Sequence, residues 1–279
     1  MSKASSRLRR LTRGKGLRVY TAAVYAFLFA PIVVLVLFSF NNAKRSAHWA
    51  GFTTKWYGEL LHDQAILDAL SNTMKVAAVA TLTATIFGTL GAFALTRYKF
   101  RGSDLYNGAI YIPLVIPEIV FGVALLTFFV AIGMPLSLTT VMIAHIAFSI
   151  SFVIIIVKAR MADFDGSLEE AAMDLGATEV ETFIYVTLPF MLPGIVAGAL
   201  MAFILSFDDF VITFFTAGVG ATTLPLKVFS MVKFGVSPEI NVISVFMLLM
   251  AVLLLIVFQR VQRVPGTVKI KSTAEAEDQ

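Results

Sequence analysis

Four ionisable side chains fall inside otherwise apolar runs: Glu118, His145, Asp208 and Asp209. A carboxylate at the centre of a bilayer helix costs about 2.5–3.5 kcal/mol on insertion scales. Such residues are therefore functional candidates by default. No Lys or Arg stands deep in the same runs. The acids need a partner from elsewhere: a second subunit, a proton, or a cation in passage. Glu118, Asp208 and Asp209 are the pathway candidates. Neighbours on a helix diverge by about 100°, so at most one of the two aspartates faces a central route squarely, and the other caps or bonds a neighbouring helix. Counted from Phe190, Asp208 lies about 27 Å along a helix rising about 1.5 Å per residue. That approaches the outer interface of a core about 30 Å thick, where an acid also serves as a cap. Glu118 follows Pro113 and Pro117 and could instead satisfy a carbonyl that they free. His145 reads as a packed, hydrogen-bonded residue. Phe207, Phe210, Phe214 and Phe215 read as packing, with one or two available as a gate or for cation–π contact.

The elements that must position these groups follow from composition. Of 279 residues, 58% are hydrophobic and 14% charged, against about 25% charged in an average globular chain. This is an all-α polytopic membrane composition, and the apolar runs do not alternate as barrel strands would. Six runs reach the roughly 20 residues a spanning helix needs: Val19–Phe40, Thr73–Leu95, Tyr106–Ile132, Leu138–Val157, Phe190–Ala217 and Val242–Phe258. The first is too long for a cleaved signal and lacks a small-residue cleavage site. All but six of the 22 Lys and Arg residues lie in the N-terminal tail, the second and fourth loops and the C-terminal tail; the six are Lys44, Arg45, Lys55, Lys75, Lys227 and Lys233. Positive charge marks the inner side, so both termini are expected in the cytoplasm. Residues 1–18 form a basic tail facing lipid headgroups, with no role for nucleic acid. Residues 19–260 form the transmembrane domain, and residues 261–279 an acidic, disordered tail. In the outer segment Asn41–Asn72, Trp56, Leu60, Leu61, Ile66, Leu67 and Leu70 predict an amphipathic surface helix. The segment Gly218–Glu239 is expected to fold back against the spans. Cysteine is absent, which excludes disulfides and thiolate metal sites; no metal or cofactor is expected in this chain.

The inner segment 158–189 is the longest connection on the cytoplasmic side. Ser167 with Glu170, and Thr178 with Glu181, have the spacing of capping boxes. Leu168, Ala171, Ala172 and Leu175 make one apolar helical stripe, and Gly176 suits a left-handed helix end. Two short helices joined at Gly176 are expected. The stripe either packs on the chain's own helices or receives a partner.

Glu170-Ala171-Ala172, three residues, Gly176, nine residues and Val186-x-Leu188-Pro189 together resemble the EAA loop of ABC-importer permeases, with Val186 where the family pattern has Ile. From about Phe52 to Phe258 the spacing of elements is similar to a type I importer permease. The resemblance implies a coupling helix that docks on an ABC ATPase dimer. Ala171, Ala172 and Gly176 would be close contacts, Glu170 would stand at the rim, and Leu188-Pro189 would form the entry to the fifth span. It implies further partners: a second permease subunit, identical or similar, and a periplasmic substrate-binding protein. ATP and Mg would be bound by the partner ATPase. Consistent with that, the chain has no G-x-x-x-x-G-K-[ST] phosphate loop, since Gly14-Lys15-Gly16 lacks the spacing. It is expected not to be an enzyme. Leu205–Gly218 with Thr223–Asn241 is similar to a segment of spermidine/putrescine importer permeases, with Phe207 in place of a Leu. This implies polyamines as substrate. Each ammonium of a flexible dication can meet a carboxylate while the methylenes tolerate apolar walls. Other cationic or opine-like amino compounds fit the same chemistry. A proton-coupled carrier would show inverted repeats with broken helices, and an intramembrane enzyme would show a zinc or triad motif; no such pattern stands out.

Overall fold

The computed structural model describes residues 15–43, 48–98, 100–234 and 238–262. The basic tail up to residue 14 and the acidic tail from residue 263 lie outside the described residues. Among the described residues the regular structure is helical, with one isolated bridge between Asn41 and Phe52. In chain order the helices are α1 (Lys15–Phe38), α2 (Lys55–Leu60), α3 (Gln64–Arg97), α4 (Ser103–Ala109), α5 (Ile112–Val115), α6 (Glu118–Ala131) and α7 (Leu138–Met161). After them come α8 (Ser167–Asp174), α9 (Glu179–Thr182), a π-helical turn (Phe183–Thr187), α10 (Leu188–Asp208), α11 (Val211–Thr216), α12 (Leu224–Phe234) and α13 (Pro238–Gln262).

Five helical segments are long and apolar enough to cross a membrane, or six if the bent pair Ser103–Val115 and Glu118–Ala131 counts as one. The six expected runs are all present, but two are not straight. The third bends by 108°. Pro117 has no N–H to donate, and it pushes Ile116 to an extended ψ of 131°. The fifth breaks after Asp208, where Asp209 is extended at ψ 126°. The expected outer amphipathic helix also divides differently. Only Lys55–Leu60 forms a separate short helix with Trp56 buried. Ile66, Leu67 and Leu70 belong to α3, which starts at Gln64 and runs for 34 residues.

The chain clusters into two compact units. Residues up to Gln64 and Val228–Leu248 form the first. Its centre is Asn41, which is fully buried. The Asn41 side chain donates to His48 O (2.7 Å) and accepts from Ala50 N (2.8 Å) and Ala43 N (3.3 Å), while its carbonyl accepts from Trp56 Nε1 (2.8 Å). Phe40 stacks on both Phe52 and Tyr57. This knot gives the loop after α1 a fixed shape without regular structure, since each buried polar group has a partner.

Ala65–Lys227 with the residues from Leu249 form the second unit. Its core is built from small residues. Ala69, Thr73, Ala77, Ala80, Ala84, Gly88 and Ala92 run down one side of α3. Ala84 and Ala92 enter a cluster with Val153, Ile154, Val157 and Met161 of α7 and Met191 and Ala202 of α10. Lipid offers helices little hydrophobic drive to associate, so close van der Waals approach through small side chains replaces it. At Gly88 an added Cβ would stand 2.6 Å from Val153 Cβ. The segment after α11 folds back as expected. Asn72 Nδ2 donates to the carbonyls of Gly220 (3.1 Å) and Thr222 (3.0 Å), and Leu224 N donates to Thr73 Oγ1 (2.7 Å).

Gly88→Ala is expected to destabilise this core by about 1–3 kcal/mol, the usual cost of overpacking. Gly108→Ala, with nothing within 4 Å of the new carbon, should be neutral. Thermal unfolding of the two purified variants in detergent checks the contrast.

Candidate functional site

Two constellations in the second unit carry the residues singled out by sequence. The first is the loop between α7 and α10. Helix α8 starts at Ser167, so Ser167 is inside the helix and cannot cap it from outside. The expected Ser167–Glu170 box does not form. Asp165 Oδ1 accepts Ser167 N instead (3.0 Å), and that bond holds the exposed Asp165 carboxyl below its ordinary range. At the other end Ala177 N bonds Ala172 O and Gly176 N bonds Met173 O, with Gly176 at φ +94°. This is the Schellman arrangement, and its left-handed residue favours glycine. The second box does form: Thr178 N donates to Glu181 Oε2 (2.8 Å), and Glu181 N donates to Thr178 Oγ1 (3.3 Å).

The apolar stripe of α8 does not pack on the chain's own helices. Leu175 is 90% exposed and Leu168 50%. Ala171, Glu170 and Gly176 are exposed and Ala172 is half-buried. Val180 and Tyr185 of the same loop are exposed as well. Pro189 is exposed and Leu188 half-buried at the start of α10.

Glu169, which sequence reasoning passed over, is the buried acid of this loop. Its Oε2 pairs with Arg97 of α3, and its Oε1 accepts from Thr187 Oγ1 (2.5 Å) in the π-helical turn. Helical spacing holds the clue, because Glu169 lies off the arc of Leu168, Ala172 and Leu175. A buried carboxylate stripped of its cation is costly, about 3–5 kcal/mol where burial is complete and less here because the Arg97 side chain is 47% exposed.

The second constellation is the break in the fifth span. Asp209 and Asp208 diverge, and their environments differ. The Asp209 side chain is 9% exposed. It caps α11: Oδ1 accepts from Ile212 N (3.2 Å), and Oδ2 accepts from Thr213 N (2.8 Å) and Thr213 Oγ1 (2.9 Å). His145 Nε2 of α7 lies 3.2 Å from Asp209 Oδ2 and 3.0 Å from Thr213 Oγ1, and Nδ1 lies 2.7 Å from Ser206 Oγ. One proton assignment satisfies the whole cluster: Nε2–H is shared by Asp209 and Thr213, and Ser206 donates to Nδ1. The capping and hydrogen-bonding roles expected for one aspartate and for His145 are thus both filled. The cluster also satisfies N–H groups freed by the break, which lipid cannot do. Asp208 is exposed and accepts no hydrogen bond among the described residues.

Glu118 stands in the first turn of α6, exposed, and makes no hydrogen bond or ion pair among the described residues. It does not satisfy a carbonyl freed by proline; it gains from the helix dipole. Its helix packs on α11 where Phe215 covers Gly122. Of the four phenylalanines, Phe207 is core at 2% exposure and Phe214 is 51% exposed. Phe214 meets Phe210 and Phe215 at centroid distances of 5.6 and 5.2 Å.

Asp209→Ala is expected to lower stability by about 1–3 kcal/mol, the cost of leaving buried donors unpaired. Asp208→Ala should leave it unchanged. Paired melting curves on the purified chain would show the difference.

Comparison with known proteins shows the family and the fold. Residues 84–264 match the family described as binding-protein-dependent transport system inner membrane component. The chain is 45% identical over 231 residues to the putrescine transport system permease protein PotI of Escherichia coli (strain K12), covering 80% of this chain and 82% of that protein. It is 37% identical over 254 residues to the spermidine/putrescine transport system permease protein PotC of the same strain, covering 91% and 95%. Among solved structures, a bacterial ABC transporter involved in the import of alginate superposes with a TM-score of 0.68 at 18% identity, over 93% of this chain and 98% of that one. The MetNI methionine ABC transporter superposes at 0.57 with 20% identity, over 76% and 98%.

Proposed function

From a chain that belongs to the binding-protein-dependent transport system inner membrane component family, we propose a membrane-spanning subunit of an ATP-driven importer of putrescine- and spermidine-type polyamines. The observation that carries this reading is the 45% identity to a putrescine permease over 80% of the chain. Both termini face the cytoplasm. The chain hydrolyses nothing itself; ATP and Mg are bound by a separate ATPase dimer. A second permease subunit completes the pathway, and a periplasmic binding protein delivers the amine.

The exposed stripe of α8 supports a docking role. Apolar side chains left in water at a loop tip, with Ala171, Ala172 and Gly176 permitting close approach, fit a surface covered by another subunit. Glu170 stands at the rim of that surface. Leu188 and Pro189 mark where the docked loop passes into α10. Closure of the ATPase pair on ATP would draw two such helices together and turn the pathway outward.

Asp208 is the residue in this reading that meets the amine. It is exposed, and no hydrogen bond occupies it among the described residues. Asp209 supports it from behind by holding the break. Glu118, also exposed, offers a second carboxylate along the route. Two ammonium groups on a flexible methylene chain suit acids at separate points.

Labelled putrescine and spermidine uptake into cells expressing the chain with its partners tests the proposal. Wild type imports. Asp208→Asn should cut uptake about tenfold or more at unchanged assembly, in the range of a lost charge-assisted bond of about 1.5–3 kcal/mol. Unchanged uptake would remove Asp208 from the route, and no import of either amine by wild type would remove the substrate assignment. Gly176→Asp should abolish uptake, since φ of +94° strains a side chain there and the acid intrudes on the docking face. Normal uptake at equal expression would contradict the docking role.

A further inference from the structure

Glu169 is 5% exposed, although Ser167, Glu170 and Asp174 of the same short helix are in water. Its two oxygens are divided between two other elements. One pairs with Arg97 in the last turn of α3. The other accepts from Thr187, the residue that ends the π-helical turn and precedes α10.

Beside this carboxylate lies a cavity of about 510 Å³. Its walls include Phe93 and Arg97 of α3, Glu169 and Met173 of α8, Thr182 of α9 and Phe183 of the π-helical turn. Helix α8 is thus not fixed to α3 by a filled apolar interface at this point. The bonds of Glu169 span the gap. Two directional contacts across this open cleft fix the position of α8 and so transmit a push or a pull, whereas loose apolar contact would let the helix slide. The π-helical turn is itself a rare element of a kind that recurs at functional sites. It leads into α10, 21 residues long, whose far end carries Asp208.

We propose that Arg97, Glu169 and Thr187 form a strut that carries displacement of the α8 docking helix into α3 and α10, with Glu169 as its positioning residue. The proposal rests on the reading of α8 as the ATPase-docking helix. The strut has no part in binding ATP or amine. It sets how much of the movement of α8 reaches the spans. Losing it lets α8 follow the ATPase while α10 lags, so ATP is hydrolysed without transport.

The test uses the whole transporter, isolated through a tag on this chain and reconstituted in proteoliposomes with its binding protein. Amine imported and ATP hydrolysed are measured together. In Glu169→Gln and Arg97→Gln, with the complex intact, amine imported per ATP should fall about fivefold, within the range by which mutations along connected networks change coupling. The exchanged pair Arg97→Glu with Glu169→Arg should recover part of the loss. A merely structural role would lower both rates together and leave the ratio alone. A wild-type ratio in either intact single variant would overturn the proposal, as would an exchanged pair no better than the singles. If Glu169→Gln does not assemble, Arg97→Gln decides, because the Arg97 side chain is 47% exposed. A wild-type complex without binding-protein-dependent import would instead overturn the proposed function.

Discussion

Hydrocarbon supplies no hydrogen bonds, so a helix that breaks within a membrane must satisfy its freed backbone groups from protein. The second unit has a break at the end of the fifth apolar helix whose backbone groups are satisfied in this way. After Asp208 the fifth span leaves helical geometry, and Asp209 accepts the N–H groups of Ile212 and Thr213 that restart it. A carboxylate this buried needs a donor beyond the backbone, and His145 and the Thr213 hydroxyl supply it. His145 in turn needs a partner on its second nitrogen, which is Ser206. Each requirement creates the next, until the cluster joins α7, α10 and α11. With Asp209 spent on the backbone, Asp208 is left exposed.

The same logic in the loop between α7 and α10 has another outcome. There water can satisfy loop backbone, and the chain uses caps and turns to build a short helix whose apolar side faces outward. Leu175 at 90% exposure makes little sense for this chain alone. The family match, to an inner membrane component of a binding-protein-dependent transport system, agrees with a chain that spans the membrane.

Much of this was legible in the sequence. Apolar run length located the spans, and stripe and capping spacing located the two short helices of the loop between α7 and α10. The Thr178–Glu181 box and the Gly176 turn formed as their spacing implied. The Ser167–Glu170 box did not, because Asp165 sits two residues before Ser167 and takes its N–H from closer range. Helix breaks at Pro117 and Asp209 were harder to read. Proline is tolerated inside spans, as Pro31 in α1 and Pro193 in α10 demonstrate, so its presence alone fixes no bend. Glu169 and Arg97 stand 72 residues apart in sequence, and no local pattern announces a pair at that separation. His145 was read correctly as a bonded residue, but its partners Ser206 and Thr213 become neighbours only through packing of α7 on α10 and α11.

Accessibility of the α8 stripe tests most directly whether this chain is a coupling partner of an ATPase. The chain has no cysteine, so Leu175→Cys introduces a single reactive thiol on a side chain that is otherwise in water. The account predicts rapid maleimide labelling in the isolated chain, protection in the assembled complex, and a crosslink from that position to the ATPase subunit. Equal labelling in isolated chain and complex, with no crosslink, would contradict it.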